Sequence, residues 1–289
     1  MAVPEAAQGI TAVVVTYNPD PEQLARLCQA VRPQVEHVVL VDNGSSAETL
    51  AALQALVEGP SSALTLLALG ENRGIGAAQN AGITLARQHG SRYVLLLDHD
   101  SIPEAGMVAT LRAAIENQPA GSPPVAAAGP RYADARQTTN PSPFVQLEGF
   151  KRVRCECRHA GQLIEVEHLI ASGSLIPMAV LDAVGDMDER LFIDYVDIEW
   201  CLRAAHAGYR MLGVCDARMQ HELGDTPIRF MGKHLPDHSP LRHYYLFRNA
   251  LLLQRMPHIG WRWKVVDAYQ TVMKYSFYAL VATPRLPRI

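Results

Sequence analysis

The sequence predicts an α/β fold in which a mostly parallel sheet carries helices on both faces and a helical segment follows at the C-terminal end. Short apolar runs alternate with amphipathic helical segments through most of the chain, as they do in parallel sheets. Polar and glycine-containing turns follow the first strands, at the ends where such sheets bind ligands. From Pro227 onward the chain becomes rich in aromatic and basic residues. We therefore expect a main domain over residues 1–225 and a helical accessory segment over residues 226–289.

Four buried strands are predicted in the N-terminal part of the chain. Each is a short apolar run that ends in polar residues, which is typical of a parallel sheet. The runs are 10–15, 37–41, 64–69 and 93–97, and they lead into Thr16-Tyr17-Asn18, Asp42-Asn43, the glycine-rich turn 70–76 and Asp98. Because the carboxyl ends of parallel strands share one edge of the sheet, we expect these polar residues to lie together.

Helices are predicted between these strands and after them. Asp20 followed by Pro21 is a signal for a helix start. Leu24, Leu27 and Val31 then recur at helical spacing. Apolar or small residues at similar spacing predict further helices that end near Val57, Ala86 and Ile115, and another over 178–184.

The later part of the chain gives a less regular pattern. We expect a strand at 125–128, a long irregular insertion over 129–161 and a strand over 169–176 that contains Gly173. Ile198, Leu202 and Ala205 predict a helix that ends at Gly208. The last strand is expected over 211–214, with two aromatic-rich helices over 243–256 and 261–281.

Asp98 and Asp100 lie two residues apart at a predicted strand end, so their side chains point to the same side. Two carboxylates this close repel each other unless a positive charge lies between them. A divalent cation meets that need, because Mg2+ binds through one or two carboxylates together with phosphate oxygens of a substrate. The alternative is a strand that simply ends in polar turn residues.

The composition indicates a folded protein and disfavours some function classes. The chain has 289 residues, 48% of them hydrophobic and 19% charged, and its net charge of −3 gives no electrostatic case for nucleic acid as a partner. The five cysteines are scattered, and the spacing of Cys155 and Cys157 does not match a zinc site. We therefore expect reduced thiols. No basic residue precedes Arg26 and no apolar stretch reaches the length of a membrane span, which predicts a cytoplasmic protein.

Several motifs together resemble the inverting glycosyltransferases of family 2, which have a GT-A fold, and among them the bacterial rhamnosyltransferase branch. In order they are VVVTYN, VVLVDNGS, ENRGIGAAQNAG, LLLDHDS, ASGSLI, DERLFIDYVDIEWCLRA and YYLFRN, over residues 10–255. Each motif is weak alone, and their order and spacing make the set specific. The resemblance implies a Rossmann-like sheet, a nucleotide-sugar donor and a role in cell-surface polysaccharide synthesis.

The resemblance also implies which residues bind the donor and the metal. Those implied for the nucleotide are Thr16, Tyr17 and Asn18 around the pocket, and Asp42 and Asn43 near the base or ribose. Those implied for the ribose and diphosphate are Asn72, Gly74 and Asn80. Asp98 and Arg248 are further candidates for binding the nucleotide-sugar, since an arginine suits a diphosphate; the alternative for Arg248 is a solvated charge on a helix. Asp98 and Asp100 match a metal-binding D-x-D motif, with His221 near the metal, and the implied cofactor is Mg2+ or Mn2+.

The opening of one helix is expected to carry the catalytic base. In many members of the family this helix opens with E-D-x-D-L-x-x-R, which aligns with residues 196–203 and places Asp197 at the base. Val196 replaces the usual glutamate, so Asp194 stays open as an alternative. The chemistry agrees, because a cation stabilises a departing diphosphate and an acceptor hydroxyl needs a base within hydrogen-bond reach.

The expected reaction moves L-rhamnose or a related deoxyhexose from a dTDP-sugar to a hydroxyl of a saccharide or lipid-linked acceptor. A UDP- or GDP-hexose donor and a non-catalytic nucleotide-sugar-binding module stay open as alternatives. A dinucleotide-binding oxidoreductase is disfavoured, because Gln79 stands where its fingerprint needs a third small residue. The C-terminal helices could rest on the inner face of the cytoplasmic membrane, or pack on the main domain or against a second copy in a homodimer.

Overall fold

The computed structural model describes residues 7–58, 64–133, 144–221, 228–230, 233–235 and 239–281. The strands in these ranges are β1 (Ile10–Thr16), β2 (His37–Asp42), β3 (Leu64–Ala68), β4 (Tyr93–Asp98), β5 (Ser101–Pro103), β6 (Val125–Ala133), β7 (Val145–Glu148), β8 (Lys151–Arg154), β9 (Leu163–Val166), β10 (Leu175–Pro177), β11 (Arg210–His221), β12 (Ile228–Phe230) and β13 (Lys233–Leu235). The α-helices are α1 (Pro21–Val31), α2 (Ala47–Val57), α3 (Ile75–Gln88), α4 (Met107–Glu116), α5 (Met178–Val184), α6 (Val196–His206), α7 (Pro240–Arg255) and α8 (Trp261–Val281).

The central sheet has the strand order β3-β2-β1-β4-β10-β6-β11-β5, with β9 also paired to β11. The first four strands are parallel to one another. β10 is antiparallel to its neighbours β4 and β6, whereas β11 runs parallel to β6. The predicted α/β fold, with helices on both faces and a helical C-terminal segment, is confirmed, and the sheet is mixed beyond β4.

Strand register brings three predicted site residues to one edge of the sheet. Thr16 at the end of β1 pairs with Asp42 at the end of β2, and Val15 pairs with Asp98 at the end of β4. The strands are short because their apolar runs are short, so all three end at the same level. The polar turns after them therefore form one rim, as expected for the carboxyl edge of a parallel sheet.

The core lies on both faces of the sheet. Ile10, Ala12 and Val14 pack on one side, and Val13 and Val15 pack on the other, because successive side chains of a strand point to opposite faces. This is why the β1 sequence is apolar without alternation. The C-terminal helices share one of these cores through Ala250, Leu253 and Trp263. The predicted boundary after residue 225 lies outside the described residues.

Helix α3 is held close to the sheet by a glycine. A Cβ on Gly82 would lie 2.3 Å from the Cγ1 atom of Val13, which is closer than carbon atoms approach. The small residue lets the helix axis approach β1 and β2, and it fixes where the N-terminal end of α3 meets the rim.

Several later elements differ from the sequence prediction. The strand expected over 169–176 is limited to β10, and its first residues form a loop in which Gly173 has a φ of +85°. β11 continues to His221 instead of ending at Val214, because it gains partners on both sides in β6, β5 and β9. The insertion is partly regular, since β7 and β8 form an antiparallel hairpin. Residues 134–143 of that insertion lie outside the described part of the chain.

The prediction that all cysteines are reduced is wrong. Cys157 and Cys215 form a disulfide, with their Cα atoms 5.6 Å apart, a normal separation for such a bond. The loop before β9 brings Cys157 against β11, and a sequence separation of 58 residues gives no sign of that contact. Cys28, Cys155 and Cys201 are free thiols. Among the described helices, none combines the length and apolar character that a membrane crossing requires.

We expect Gly82→Ala to lower the free energy of unfolding by about 1–2 kcal/mol, because overpacking against Val13 outweighs the helix propensity that alanine adds. Thr84→Ala is the control, since Thr84 is exposed on the same helix and its replacement changes the helix propensity and removes one exposed hydrogen bond to the carbonyl oxygen of Asn80 without overpacking. Urea denaturation followed by circular dichroism measures both. Equal stability of the two variants would contradict the close approach of α3 to the sheet.

Candidate active site

The three residues predicted as metal ligands lie together at the sheet edge. Asp98 ends β4, Asp100 follows in the turn to β5, and His221 ends β11. β5 and β11 are antiparallel and pair Ser101 with His221, which brings the imidazole beside the turn. One ligand atom from each residue lies within 4.8 Å of the others. Two carboxylates and an imidazole in this arrangement form a donor set that can hold a divalent cation.

Two buried hydroxyls support this cluster. The backbone N–H of Asp98 donates to Ser172 Oγ at 3.0 Å, and Ser172 Oγ donates to Ser101 Oγ at 2.6 Å. Ser101 Oγ then lies 2.7 Å from His221 Nδ1. Both serines are almost fully buried, so this series of hydrogen bonds fixes the orientation of the His221 ring. Sequence reasoning did not assign these serines, although both lie in the LLLDHDS and ASGSLI motifs.

Electrostatics in the cluster favour a bound cation. Burial raises the pKa of the Asp98 carboxyl, and the charge of Asp100 raises it further. Burial acts on Asp100 in the same direction, but the hydrogen bond and charge of His221 hold the pKa of Asp100 below its usual range. A divalent cation between the two carboxylates would remove their repulsion.

The turn after β1 and the turn after β2 are locked together. Asp42 is buried and accepts hydrogen bonds from Thr16 Oγ1 at 3.2 Å, from the backbone N–H of Ser45 at 3.0 Å, and from Ser45 Oγ. Asn18 has a φ of 44°, and its Oδ1 atom accepts from the N–H of Ser46 at 2.9 Å. Tyr17 is 49% exposed. The turn after β1 thus presents an exposed aromatic ring, and the polar groups of the turn are held by hydrogen bonds.

The turns after β2 and β3 are joined by two asparagines. Asn43 Nδ2 donates to Asn72 Oδ1 at 3.1 Å, and Asn43 Oδ1 accepts from the N–H of Arg73 at 2.9 Å. Gly74 has a φ of +89°, and a Cβ there would lie 2.6 Å from the carbonyl oxygen of Phe192. The segment before α3 is therefore pressed directly against the segment that leads to α6.

Two predicted donor-binding residues are used in another way. The amide of Asn80 accepts from the N–H of Met187 at 2.9 Å and donates to the Met187 carbonyl and to Glu189. The guanidinium of Arg248 lies over the Tyr245 ring and donates to the carbonyl of Leu191. Both side chains therefore contact the 187–191 segment, and their contacts with ribose or diphosphate stay a prediction.

Asp197 is the second residue of α6 and lies close enough to Asp98 for its charge to act on that carboxyl. Its carboxylate accepts from the backbone N–H groups of Ile198, at 2.8 Å, and of Ala171. Burial raises the pKa of Asp197, and the charge of Asp197 contributes to the raised pKa of Asp98. The neighbouring residues Ala171 and Ser172 thus contact the carboxylate of Asp197 and the backbone of Asp98.

Asp194 lies before the helix and is held in an ion pair. Arg242 on α7 contacts it with Nη2 3.1 Å from Oδ1 and with Nε 3.2 Å from Oδ2. Asp194 itself has a φ of 61°. The predicted alternative base is therefore a carboxylate whose two oxygens are both engaged by an arginine.

The backbone between residues 192 and 195 is strained, and side chains of α7 and α8 stabilise it. Phe192, Asp194 and Tyr195 all have φ values between 61° and 66°, a region that non-glycine residues rarely adopt. Asn249 Nδ2 lies 2.7–2.9 Å from the carbonyl oxygens of Leu191, Ile193 and Asp194. The Tyr195 hydroxyl donates to Asp267 on α8 at 3.1 Å. Only the YYLFRN motif, which contains Asn249, could have indicated this support.

Comparisons with known proteins identify the family of this chain. The family model described as glycosyl transferase family 2 matches residues 11–159. The dTDP-rhamnosyl transferase RfbF of Shigella flexneri is 35% identical over 251 residues, which is 86% of this chain and 81% of that protein. The chain belongs to glycosyl transferase family 2. The galactofuranosyltransferase GlfT1 of Mycobacterium tuberculosis is 26% identical over 277 residues, 88% of each chain.

Solved structures of low sequence identity share the fold of this family 2 glycosyltransferase. GalNAc-T7 with UDP, GalNAc and Mn2+ superposes with a TM-score of 0.64 at 14% identity, and the match covers 97% of this chain and 59% of that one. Residues 1–349 of TarS from S. aureus with UDP-GlcNAc give a TM-score of 0.59 at 16% identity, covering 96% and 78%. The predicted GT-A fold is thereby confirmed.

We expect Asn249→Ala to lower the rate of sugar transfer at least about tenfold, because the main chain before Asp197 relaxes when three carbonyl oxygens lose their donor. The buried carbonyls should also lower the free energy of unfolding by about 1–3 kcal/mol. Initial rates and urea denaturation measure the two effects. Asn117→Ala, at an exposed asparagine that ends α4, is the control. Full activity of Asn249→Ala would contradict the role given to the support.

Proposed function

We propose that this glycosyltransferase is an inverting, cation-dependent enzyme that moves L-rhamnose or a related deoxyhexose from a dTDP-sugar to a hydroxyl of a saccharide or glycolipid. One observation carries the proposal. The charge of Asp197 acts on Asp98 in the Asp98, Asp100 and His221 cluster, and the adjacent residues Ala171 and Ser172 contact Asp197 and Asp98. The likeness to a dTDP-rhamnosyl transferase supports the choice of donor.

Asp98, Asp100 and His221 are the residues that would hold the cation. When bound there, a cation spreads the negative charge that develops on the departing diphosphate. The ligand set fits Mg2+ and Mn2+ alike, because both accept carboxylate oxygens. The hydroxyls of Ser101 and Ser172 keep the imidazole in place before the donor arrives.

The rim residues are proposed to bind the nucleotide. The exposed Tyr17 ring offers a stacking surface for a pyrimidine, and the Asp42 carboxylate, held by Thr16, is a polar wall of the proposed pocket. Thr16, Asn18, Asn43 and Asn72 hold that wall in shape through the hydrogen bonds that join the turns. Gly74 lets the main chain before α3 approach closely, which suits a neighbouring diphosphate.

Asp197 is the proposed base. It takes the proton of the acceptor hydroxyl while the oxygen of that hydroxyl forms a bond to the anomeric carbon. The bond between the anomeric carbon and the phosphate oxygen breaks, and its electron pair leaves with the dTDP. One displacement from the face opposite the leaving group inverts the anomeric centre. Asp194 is less suited to this step, because its two oxygens are paired with Arg242.

Asp197→Asn should bind donor and cation normally and lose transfer by roughly 10²–10⁴-fold, because the amide cannot take a proton. Initial rates and calorimetric donor titration separate these effects. Asp194→Asn should lose much less activity, since its main contribution is the ion pair with Arg242. A larger loss in Asp194→Asn than in Asp197→Asn would transfer the role of base to Asp194.

Asp100→Ala should abolish the cation-dependent part of nucleotide binding, because one of the two carboxylate ligands is removed. Calorimetric titration with dTDP, in the presence and absence of Mg2+ or Mn2+, measures that part directly. Glu104→Ala is the control, since Glu104 is exposed and close in sequence. Unchanged cation-dependent affinity in Asp100→Ala would exclude the ligand assignment.

A donor screen tests the substrate. Slow hydrolysis of dTDP-L-rhamnose, UDP-hexoses and GDP-hexoses by the enzyme, each with Mg2+ or Mn2+, should be fastest for the dTDP-sugar. A preference for a UDP- or GDP-sugar would exclude rhamnose transfer while leaving the family and the roles of Asp100 and Asp197 intact.

A further inference from the structure

The C-terminal helices carry an unusual charge. Residues 239–289 contain eight arginines and lysines and one acidic residue, Asp267, which leaves the rest of the chain with a net charge of −10. Asp267 is buried against Tyr195, so it offers no negative charge to the surface. Among the described residues of this segment, Arg255 and Arg262 are exposed and basic, while the body of the protein carries a net negative charge.

Helix α8 exposes an apolar stripe to solvent. Trp261, Val265, Tyr269 and Val272 follow one another at intervals of four, four and three residues, and each is at least 50% exposed. At about 100° per residue they lie on one side of the helix. Phe150, at the tip of the β7–β8 hairpin, is 54% exposed and its ring lies 5.6 Å from that of Trp261, which extends the stripe.

Helix α7 adds a second stripe on the same side. Leu241, Tyr244 and Leu251 are exposed, about 100° around α7 from the side that contacts α8. The helices are antiparallel, since His243 contacts Tyr278 near one end and Gln254 contacts Lys264 near the other. The α8 stripe is rotated by a similar angle from its own contact side. In an antiparallel pair these two rotations bring both stripes to one face of the hairpin, which we call the outer face.

Basic side chains accompany the outer face. Arg262 is exposed next to the stripe, and its guanidinium lies 5.7 Å from the Trp261 ring centroid. Arg255 is exposed at the end of α7, and Lys151 is exposed next to Phe150. Aromatic and aliphatic side chains among basic ones are typical of helices that lie in the interface of an anionic membrane, where basic residues near the surface strengthen binding.

We propose that the outer face of the α7–α8 hairpin docks on an anionic lipid surface. A second copy of the chain fits this face less well, because a symmetric contact would bring Arg255 and Arg262 of one copy near the same residues of the other. Lipid headgroups carry the complementary charge, and the exposed rings reach the boundary between headgroups and acyl chains. The docking is peripheral and does not depend on the donor or reaction proposed above.

Flotation of the full-length protein with vesicles tests the proposal. Phosphatidylcholine vesicles that contain phosphatidylglycerol should bind the protein, and the bound fraction should fall with added salt. Pure phosphatidylcholine should bind at least about tenfold less. The triple variant Trp261→Ser, Tyr269→Ser, Val272→Ser should reduce partition to anionic vesicles by about tenfold or more. Equal binding to both kinds of vesicle, or no binding to either, would overturn the proposal.

Charge variants separate the role of the outer face from net charge. Arg255→Glu with Arg262→Glu should reduce binding to anionic vesicles roughly tenfold or more. Arg26→Glu with Arg158→Glu changes the net charge equally at exposed positions outside the C-terminal helices and should leave binding nearly unchanged. Equal losses in the two double variants would overturn the proposal.

Sedimentation velocity without lipid tests whether a second copy of the chain binds the outer face instead. If the wild-type chain were a dimer and the triple serine variant a monomer with undiminished vesicle binding, the outer face would be an interface between copies, contrary to the proposal. Unchanged thermal unfolding and dTDP binding in every variant ensure that lost vesicle binding reports the surface. Because vesicle binding needs no donor, its failure leaves the proposed reaction untouched.

Discussion

Negative charge concentrated in one cleft is the constraint on which the rest of this structure depends. Asp98, Asp100 and Asp197 approach the cleft from different elements, and burial raises the pKa of Asp98 and of Asp197. Partly desolvated carboxylates stay ionised together only where the backbone fixes them and positive charge compensates. The parallel strands provide the fixed backbone, and His221 compensates part of the negative charge. A divalent cation bound to Asp98 and Asp100 would compensate the rest.

The loop before β10 contacts both the proposed base and the proposed metal cluster. Ala171 donates to the carboxylate of Asp197, and Ser172 accepts from the backbone of Asp98. The loop is itself held by Gly173, whose N–H donates to the carbonyl of Leu96 at 2.8 Å in the middle of β4. The proposed base and the metal cluster therefore share one rigid reference, the strand that carries Asp98. A small displacement of this loop would move one relative to the other, and geometry at that scale decides transfer rates.

Local sequence pattern was enough for the first half of the fold and not for the second. The β1 to β4 strands are apolar on both sides because helices cover both faces, and their polar turns fall on one rim because the strands are parallel. Thr16, Asp42 and Asp98 could be placed for that reason. β10 and β11 are set by pairing between distant segments, and β11 has two register shifts against β6. Such contacts leave no local period in the sequence.

The site residues divide in the same way. Asp98, Asp100 and His221 could be brought together from motif order, since their chemistry is short-range and specific. The contacts of Asn80 and Arg248 with the 187–191 segment could not be read from the sequence, because a long polar side chain on a helix bonds to whichever carbonyl groups the fold brings near it. The Cys157–Cys215 disulfide depends likewise on a loop meeting β11. In each case the missing information is tertiary.

The C-terminal hairpin connects the proposed base to the outer face. On its inner side, Asn249 holds the strained main chain before α6, and Asp267 accepts from Tyr195, which directly precedes that helix. Because both helices pack on the main core, a contact that fixes their outer face also fixes the direction from which Asp197 is approached. A lipid surface in contact with the stripe would orient the cleft relative to that surface. An acceptor anchored in the same surface would then meet the base from a constant direction, and orientation of this kind lowers the entropic part of the barrier to transfer.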